Sequence, residues 1–256
     1  MSQHPADHFS HQADVYARYR PTYPKSLFDY LATLCDEHEL AWDCATGNGQ
    51  AAVELAQRFQ SVYATDISEQ QLSHATPSPN VTYKLESVED CSLSDASVDL
   101  VTAATAAHWF NASEYHRQVN RVLKSGGVLA VWSYAESEID PEVDKVVMHF
   151  SRGFLKDYWP QSWQVNIVDH YKSLPFPYPL LETPAFKATA EYNLGEVMNY
   201  LRTWSSVQRY VEQHGTNPVD LIANELQVAW GDPQQRKTVS WPLFMKVGRK
   251  ADYAKQ

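Results

Sequence analysis

Two carboxylates and two glycines set the terms of the chemistry. Asp43 ends an apolar run, Leu40-Ala41-Trp42, and Gly47 and Gly49 follow it closely. A helical pattern, Gln50-Ala51-Ala52-Val53-Glu54-Leu55-Ala56, starts at once. Strand, glycine turn and helix make a corner at which nucleotide ligands bind. A carboxylate at the strand's end would repel a pyrophosphate and attract an ammonium or a sulfonium. A second short apolar strand, Val62-Tyr63-Ala64-Thr65, ends in Asp66, 17 residues after Gly49. One helix and one turn separate them. A βαβ unit places there the acid that takes both ribose hydroxyls. S-adenosylmethionine carries a ribose and both cations.

At these residues the chain resembles a known family. Asp43-Cys44-Ala45-Thr46-Gly47-Asn48-Gly49-Gln50 is similar to motif I of the class I S-adenosylmethionine-dependent methyltransferases. Ala104-Thr105-Ala106-Ala107-His108-Trp109-Phe110 and Arg121-Val122-Leu123-Lys124-Ser125-Gly126-Gly127 are similar to their later motifs. Asp7-His8-Phe9-Ser10 and Tyr19-Arg20-Pro21-Thr22-Tyr23-Pro24 resemble one small-molecule branch, the trans-aconitate-type methyltransferases. The likeness covers nearly the whole chain and is densest from Asp7 to Tyr134. One departure stands at Ala45, where the common motif has glycine. Its methyl narrows the turn, and left-handed geometry there is disfavoured.

The resemblance implies S-adenosylmethionine as cofactor and a set of roles. Gly47 and Gly49, with Ala45 beside them, let the backbone approach the amino-acid moiety, and Asp43 sits near its ammonium. Asp66, followed by Ile67, takes the ribose. In Ser87-Val88-Glu89-Asp90 the adenine contact falls to Val88 or Glu89. Ala104 passes beneath the sulfur. His108 and Trp109 face the methyl group and the acceptor, with Trp132, Tyr134 and Trp204 alongside. His108 is expected to position the substrate in preference to acting as a general base. Tyr19 and Arg20 belong to an N-terminal segment folded over the cofactor, and Arg20 pairs with the methionine carboxylate or with an acidic substrate.

Each assignment has a plainer rival. Asp43 could be a helix N-cap, Asp66 a turn acid, His108 a core histidine and Arg20 an exposed cation. Gly47-Asn48-Gly49-Gln50-Ala51-Ala52 also fits G-x-G-x-x-A, which raises an NAD(P)-dependent oxidoreductase. Asp43 speaks against that, through like charge beside a pyrophosphate. A methyltransferase-like fold that binds a partner without catalysis is the second alternative. His4, His8 and His11 have metal-like spacing, but Pro5 interrupts it, so no metal site is expected.

The elements that must position these residues follow from periodicity. Apolar runs predict strands at 40–44, 62–66, 81–86, 98–104 and 127–133, with helices near 49–59, 68–75 and 112–124. This alternation implies an α/β fold, a mostly parallel sheet covered by helices. Two helices are expected before it, one capped by Ser10 and one starting with Pro24 at its first position. Gly126-Gly127 is expected to close the helix at 112–124. After Tyr134 the rhythm stops, and an aromatic, proline-rich stretch runs to Pro184. Phe186–Tyr192 resumes regular structure, helical patterns cover 194–213 and 217–230, and a strand at 239–247 ends the series. Pro242 inside it points to an edge or a bulge. The resemblance implies a Rossmann-like seven-stranded sheet with the last strand antiparallel. The expected organisation is cap helices at 1–38, a core at 39–134 and 185–250, and an inserted aromatic lid at 135–184.

Bulk properties narrow the partners. The 256 residues suffice for one elaborated α/β domain. A net charge of −10 argues against a nucleic-acid surface. No apolar stretch reaches a membrane span, the start MSQHPADHFS lacks a signal-peptide core, and Cys35, Cys44 and Cys91 form no C-x-x-C pair. The expectation is a cytoplasmic monomer or homodimer acting on a small molecule, plausible acceptors including a carboxylate.

Overall fold

The computed structural model describes residues 19–160 and 168–251. Its strands are β1 (Leu40–Cys44), β2 (Ser61–Asp66), β3 (Val81–Leu85), β4 (Val98–Ala104), β5 (Leu123–Tyr134), β6 (Phe186–Tyr192) and β7 (Lys237–Arg249). They form one sheet in the order β3-β2-β1-β4-β5-β7-β6. The first five run parallel, and β7 runs antiparallel to both β5 and β6. This is the expected Rossmann-like sheet. The order reverses between β1 and β4, so the crevice for ligands opens beyond their C-terminal ends.

Eight α-helices pack around the sheet among the described residues. They are α1 (Lys25–Thr33), α2 (Gln50–Leu55), α3 (Glu69–Ser73), α4 (Ala112–Val122), α5 (Pro141–Met148), α6 (Leu194–Arg202), α7 (Ser205–His214) and α8 (Ala223–Trp230). Leu27, Phe28 and Leu31 of α1 and Ala51, Ala52 and Leu55 of α2 cover one face. Tyr115, Val119 and Val122 of α4 cover the other. Covered on both sides, β1 and β4 read as near-continuous apolar runs. A third cluster, over β6 and β7, joins Phe150 and Leu155 to Tyr200, Leu201, Trp204 and Trp230.

Several boundaries differ from the sequence expectation, each for a physical reason. The helix expected to end at Gly126-Gly127 ends at Val122, and β5 begins at Leu123. The glycines instead form an irregularity in β5, where pairing with β4 jumps from Val98↔Leu123 to Leu100↔Val128. Gly126 has φ +76, and a Cβ at Gly127 would lie 3.0 Å from the Lys124 carbonyl oxygen. Pro24 is the N-cap of α1 rather than its first residue. The helix expected from Ser10 lies outside the described residues. The pattern at 194–213 breaks into α6 and α7, because Trp204 adopts an extended conformation at the N-cap of α7.

Pro242 marks neither an edge nor a bulge. β7 lies inside the sheet, and Pro242 pairs with Lys187 of β6. The last pair with β5 is Leu243↔Tyr134, and the Pro242 carbonyl accepts the Ala135 N–H at 2.8 Å. In an antiparallel ladder a residue's N–H and C=O point the same way. The missing N–H therefore falls where β5 has run out, and β6 loses no bond.

Candidate active site

A cavity of about 670 Å³ opens at the C-terminal ends of β1, β2 and β4. Asp43, on its wall, is 1% exposed. Its two carboxylate oxygens accept the Thr102 hydroxyl at 2.7 Å and the Thr46 hydroxyl at 2.6 Å. Burial pushes its pKa up to about 6, the two hydroxyls oppose that, and the charge of Asp66 adds to it.

The turn after β1 is bent by three residues with positive φ: Ala45 (+50), Gly47 (+58) and Gly49 (+83). Ala45 thus takes the left-handed conformation that its methyl disfavours. The two glycines serve different ends. A Cβ at Gly47 would face the cavity and meet only the Gln71 side-chain oxygen, at 3.7 Å. A Cβ at Gly49 would collide with the Tyr83 hydroxyl, which donates to the Thr76 carbonyl at 2.7 Å. Gly49 is off the cavity wall and makes room for Tyr83.

Asp66 closes β2 beside this turn. One oxygen accepts the Gly47 N–H at 2.8 Å, and the other accepts the Ser68 N–H at 2.8 Å. Burial raises its pKa, and these backbone N–H groups hold the rise back. Ile67 is 45% exposed on the cavity lip. After β3, Val88 lines the wall, and Glu89 beside it accepts the Ser87 hydroxyl and the Asn111 N–H, the latter at 3.2 Å.

β4 delivers Ala104, Thr105 and Ala106 to the wall, followed by Trp109, Phe110 and Asn111. Thr105 has φ +55, and its hydroxyl shares a 2.9 Å hydrogen bond with Tyr23. Arg20 also lines the cavity. It donates to the Tyr134 hydroxyl and, at 3.1 Å, to the Thr203 carbonyl. Its guanidinium carbon lies 5.7 Å and 5.8 Å from the ring centres of Tyr134 and Tyr200.

The structure therefore brings together Asp43, Ala45, Gly47, Asp66, Ile67, Val88, Glu89, Ala104, Trp109, Tyr134 and Arg20. It leaves five other expected residues off the wall. Gly49 packs on Tyr83. Trp132 is fully buried, edge-on to Tyr23 at 5.5 Å and to Phe28 at 6.0 Å. Trp204 is buried between Trp159 and Tyr200. Tyr19 lies against the β6–β7 cluster, and its carbonyl accepts the Tyr192 hydroxyl at 3.1 Å. His108 stands behind Trp109, with Nδ1 2.9 Å from the Tyr171 hydroxyl, and burial lowers its pKa to about 3. A neutral ring with that pKa is a poor general base at neutral pH.

Wall residues that the sequence did not single out include Gln71, Tyr23, Thr105 and Asn111. Thr105 carried a faint signal, as the sole hydroxyl within Ala104–Ala107. Gln71 carried none. His4, His8 and His11 lie outside the described residues. No helix among the described residues is long and apolar enough to cross a membrane.

The cavity suits a cationic nucleoside. Acids surround the glycine turn, and the Gly47 backbone is open to a ligand. Comparison with known proteins agrees. Residues 42–131 match the family described as a methyltransferase domain. A Saccharomyces cerevisiae protein named as an S-adenosylmethionine-dependent methyltransferase is 30% identical, over 93% of this chain and 95% of its own. A Dictyostelium discoideum protein named as a methyltransferase is 29% identical over 95% of both chains. The solved structure of a protein titled a type II methyltransferase, from Anaeromyxobacter dehalogenans, superposes with a TM-score of 0.85 at 37% identity, covering 92% of this chain and 100% of that one. These full-length matches set aside the oxidoreductase and non-catalytic alternatives, and the chain belongs to the class I S-adenosylmethionine-dependent methyltransferases.

Proposed function

We propose that this enzyme methylates a small molecule, with an acceptor that enters between Trp109 and Tyr134 and carries a carboxylate. The observation that carries this is the division of the cavity. Its acids, Asp43, Asp66, Glu86 and Glu89, follow β1, β2 and β3, and the cation among its described wall residues, Arg20, lies beside Tyr134 at the end of β5. A volume of about 670 Å³ has room for a nucleoside cofactor and one modest organic group beside it.

When bound, S-adenosylmethionine supplies a methyl group already activated on a sulfonium. The chain's own task is to orient and to exclude water. Asp66 would hold the ribose hydroxyls while its hydrogen bond to Gly47 keeps the turn in place. Asp43 faces the ammonium side. Val88 and Ile67, both on the wall, would line the adenine slot, and Glu89 ties the Val88 loop to Asn111. Ala104, a small residue on the wall, would leave room for the cofactor. Arg20 steers an anionic acceptor, and an ionised carboxylate needs no base, in keeping with a neutral His108.

The experiment is a methylation screen. Small carboxylic acids, phenols, thiols and amines are incubated with enzyme and S-adenosylmethionine, and methylated products are identified by mass spectrometry. Methyl esters formed from acids support the proposal. Turnover confined to phenols or amines overturns the carboxylate assignment, and turnover confined to protein or nucleic acid overturns the small-molecule one.

A further inference from the structure

The loop from Thr105 to Asn111 forms one wall of the cavity, and its own hydrogen bonding is thin. Its short turn, Ala107–Trp109, is closed by Trp109 N–H to the Ala106 carbonyl at 2.9 Å and Phe110 N–H to the Ala107 carbonyl at 3.4 Å. Thr105, β-branched, sits at positive φ. Such a loop holds its shape only if the surroundings impose it.

Three remote side chains do so. Tyr23 bonds Thr105 at the loop's start, and Glu89 accepts the Asn111 N–H at its end. The middle is held by Tyr171, whose hydroxyl lies 2.9 Å from His108 Nδ1. Tyr171 belongs to the aromatic segment 135–184, and it is fully buried. Reaching that place is costly. His170 and Tyr171 both have positive φ, at +51 and +62. Two successive non-glycine residues in that region are strained. Phe244 of β7 offsets part of this, stacked on His170 at 4.8 Å and edge-on to Tyr171 at 5.1 Å. The result is a column. Tyr171 abuts His108, His108 packs on Trp109 at 5.2 Å, and Trp109 faces the cavity.

We propose that Tyr171 is a positioning residue for methyl transfer, setting the orientation of Trp109 through His108 and touching neither cofactor nor acceptor. The proposal rests on the reading that the acceptor lies against Trp109. It gives the aromatic segment a different task from the lid expected of it. Among the described residues, none between 135 and 184 lines the cavity. The segment supports the acceptor wall from behind.

The test compares the wild type with Tyr171→Phe, which keeps the ring and removes the hydroxyl, and with Tyr178→Phe as a control from the same segment. S-adenosylhomocysteine binding is measured by calorimetry. The Trp109 indole N–H is followed by NMR, assigned with Trp109→Phe, and the ring nitrogens of His108 by ¹⁵N shift. Any acceptor found in the screen is titrated for KM and kcat. Tyr171→Phe is expected to shift the Trp109 and His108 signals and to leave the S-adenosylhomocysteine Kd within twofold. It should raise the acceptor KM at least fivefold with a smaller change in kcat. Tyr178→Phe should do none of these. Unmoved Trp109 and His108 signals overturn the proposal, as does cofactor affinity falling in step with acceptor affinity. If no small acceptor turns over in the wild type, the proposed function fails, and the NMR comparison still decides whether Tyr171 sets Trp109.

Discussion

The Asp66 carboxylate accepts the N–H of Gly47 at 2.8 Å, so the acid at the end of β2 fastens the turn at the end of β1. One side chain thereby has two jobs, to fix the glycine turn and to offer its remaining lone pairs to a ligand. Asp66→Ala should weaken S-adenosylhomocysteine binding about tenfold to a hundredfold or more, since a hydrogen bond to a charged group is worth roughly 1.5–3 kcal/mol. Asp66→Asn retains one acceptor and should fall between. Calorimetry measures both, and an alanine variant within twofold of wild type removes Asp66 from the cofactor site.

Gly47 and Gly49 should separate binding from stability. Gly47→Val puts a branched side chain into the cavity at φ +58 and should abolish S-adenosylhomocysteine binding in a chain that still folds. Gly49→Ala drives a methyl into Tyr83 and should instead lower the melting temperature. Circular dichroism melts paired with calorimetry read the two effects. The reverse pattern would exchange the roles assigned to the glycines.

The raised pKa of Asp43, about 6, makes two signed predictions. Folded Asp43 holds its proton more tightly than the unfolded chain does, whose carboxyl titrates near 4. Between about pH 4 and pH 6 the native state therefore binds more protons, and this residue's contribution to stability falls as pH rises through that window. A cationic ligand favours the ionised form. S-adenosylmethionine affinity should then rise as pH climbs through about 6, with a proton released on binding near that pH. Calorimetry in buffers of different ionisation enthalpy detects the proton. Asp43→Asn should flatten both dependences, and an unchanged pH profile in that variant would assign the linkage to another group.

Far from the cavity, Asp99 organises the entrance to β1. It is buried, accepts the Glu39 and Leu40 N–H groups at 2.8 Å and 3.0 Å, and meets Lys124 Nζ at 2.8 Å. Asp99→Ala should destabilise the fold by about 2–4 kcal/mol, through lost charged hydrogen bonds and unpaired N–H groups. Urea denaturation gives the value. Cofactor affinity at a temperature where the variant is folded should be unchanged, and a parallel loss of affinity would mean that the strand base and the site are coupled.

The sequence made the first half of the sheet legible because each strand there ends in a residue with a job. An apolar run, an acid and a glycine turn leave few alternatives, and Asp43, Asp66 and Gly47 all reach the wall. Aromatic residues were harder to place. Trp132 and Tyr134 share a face of β5 by its two-residue period, yet one pleat decides the outcome. Tyr134 lies at the strand's end, beside Arg20, while Trp132 lies under Tyr23 and Phe28. His108 was visible as a residue near the site, but its partner, Tyr171, is 63 positions away. Contacts of that range leave no local pattern. Gly126-Gly127 misled for a related reason, because a helix stop and a strand irregularity draw on the same residue type.

The place of β7 bears on how the protein is made. Lys237–Arg249 leaves the ribosome after β5 and β6, and it belongs between them. Until it emerges, the nascent chain carries β5 with one edge unsatisfied and β6 with no neighbour to pair, while Phe244 is missing from behind His170 and Tyr171. Open strand edges of this kind invite wrong partners. Synthesis halted before residue 237 would yield a chain with its glycine turn and both acids in place and no means of closing its sheet, a product for chaperones or proteases rather than a smaller enzyme.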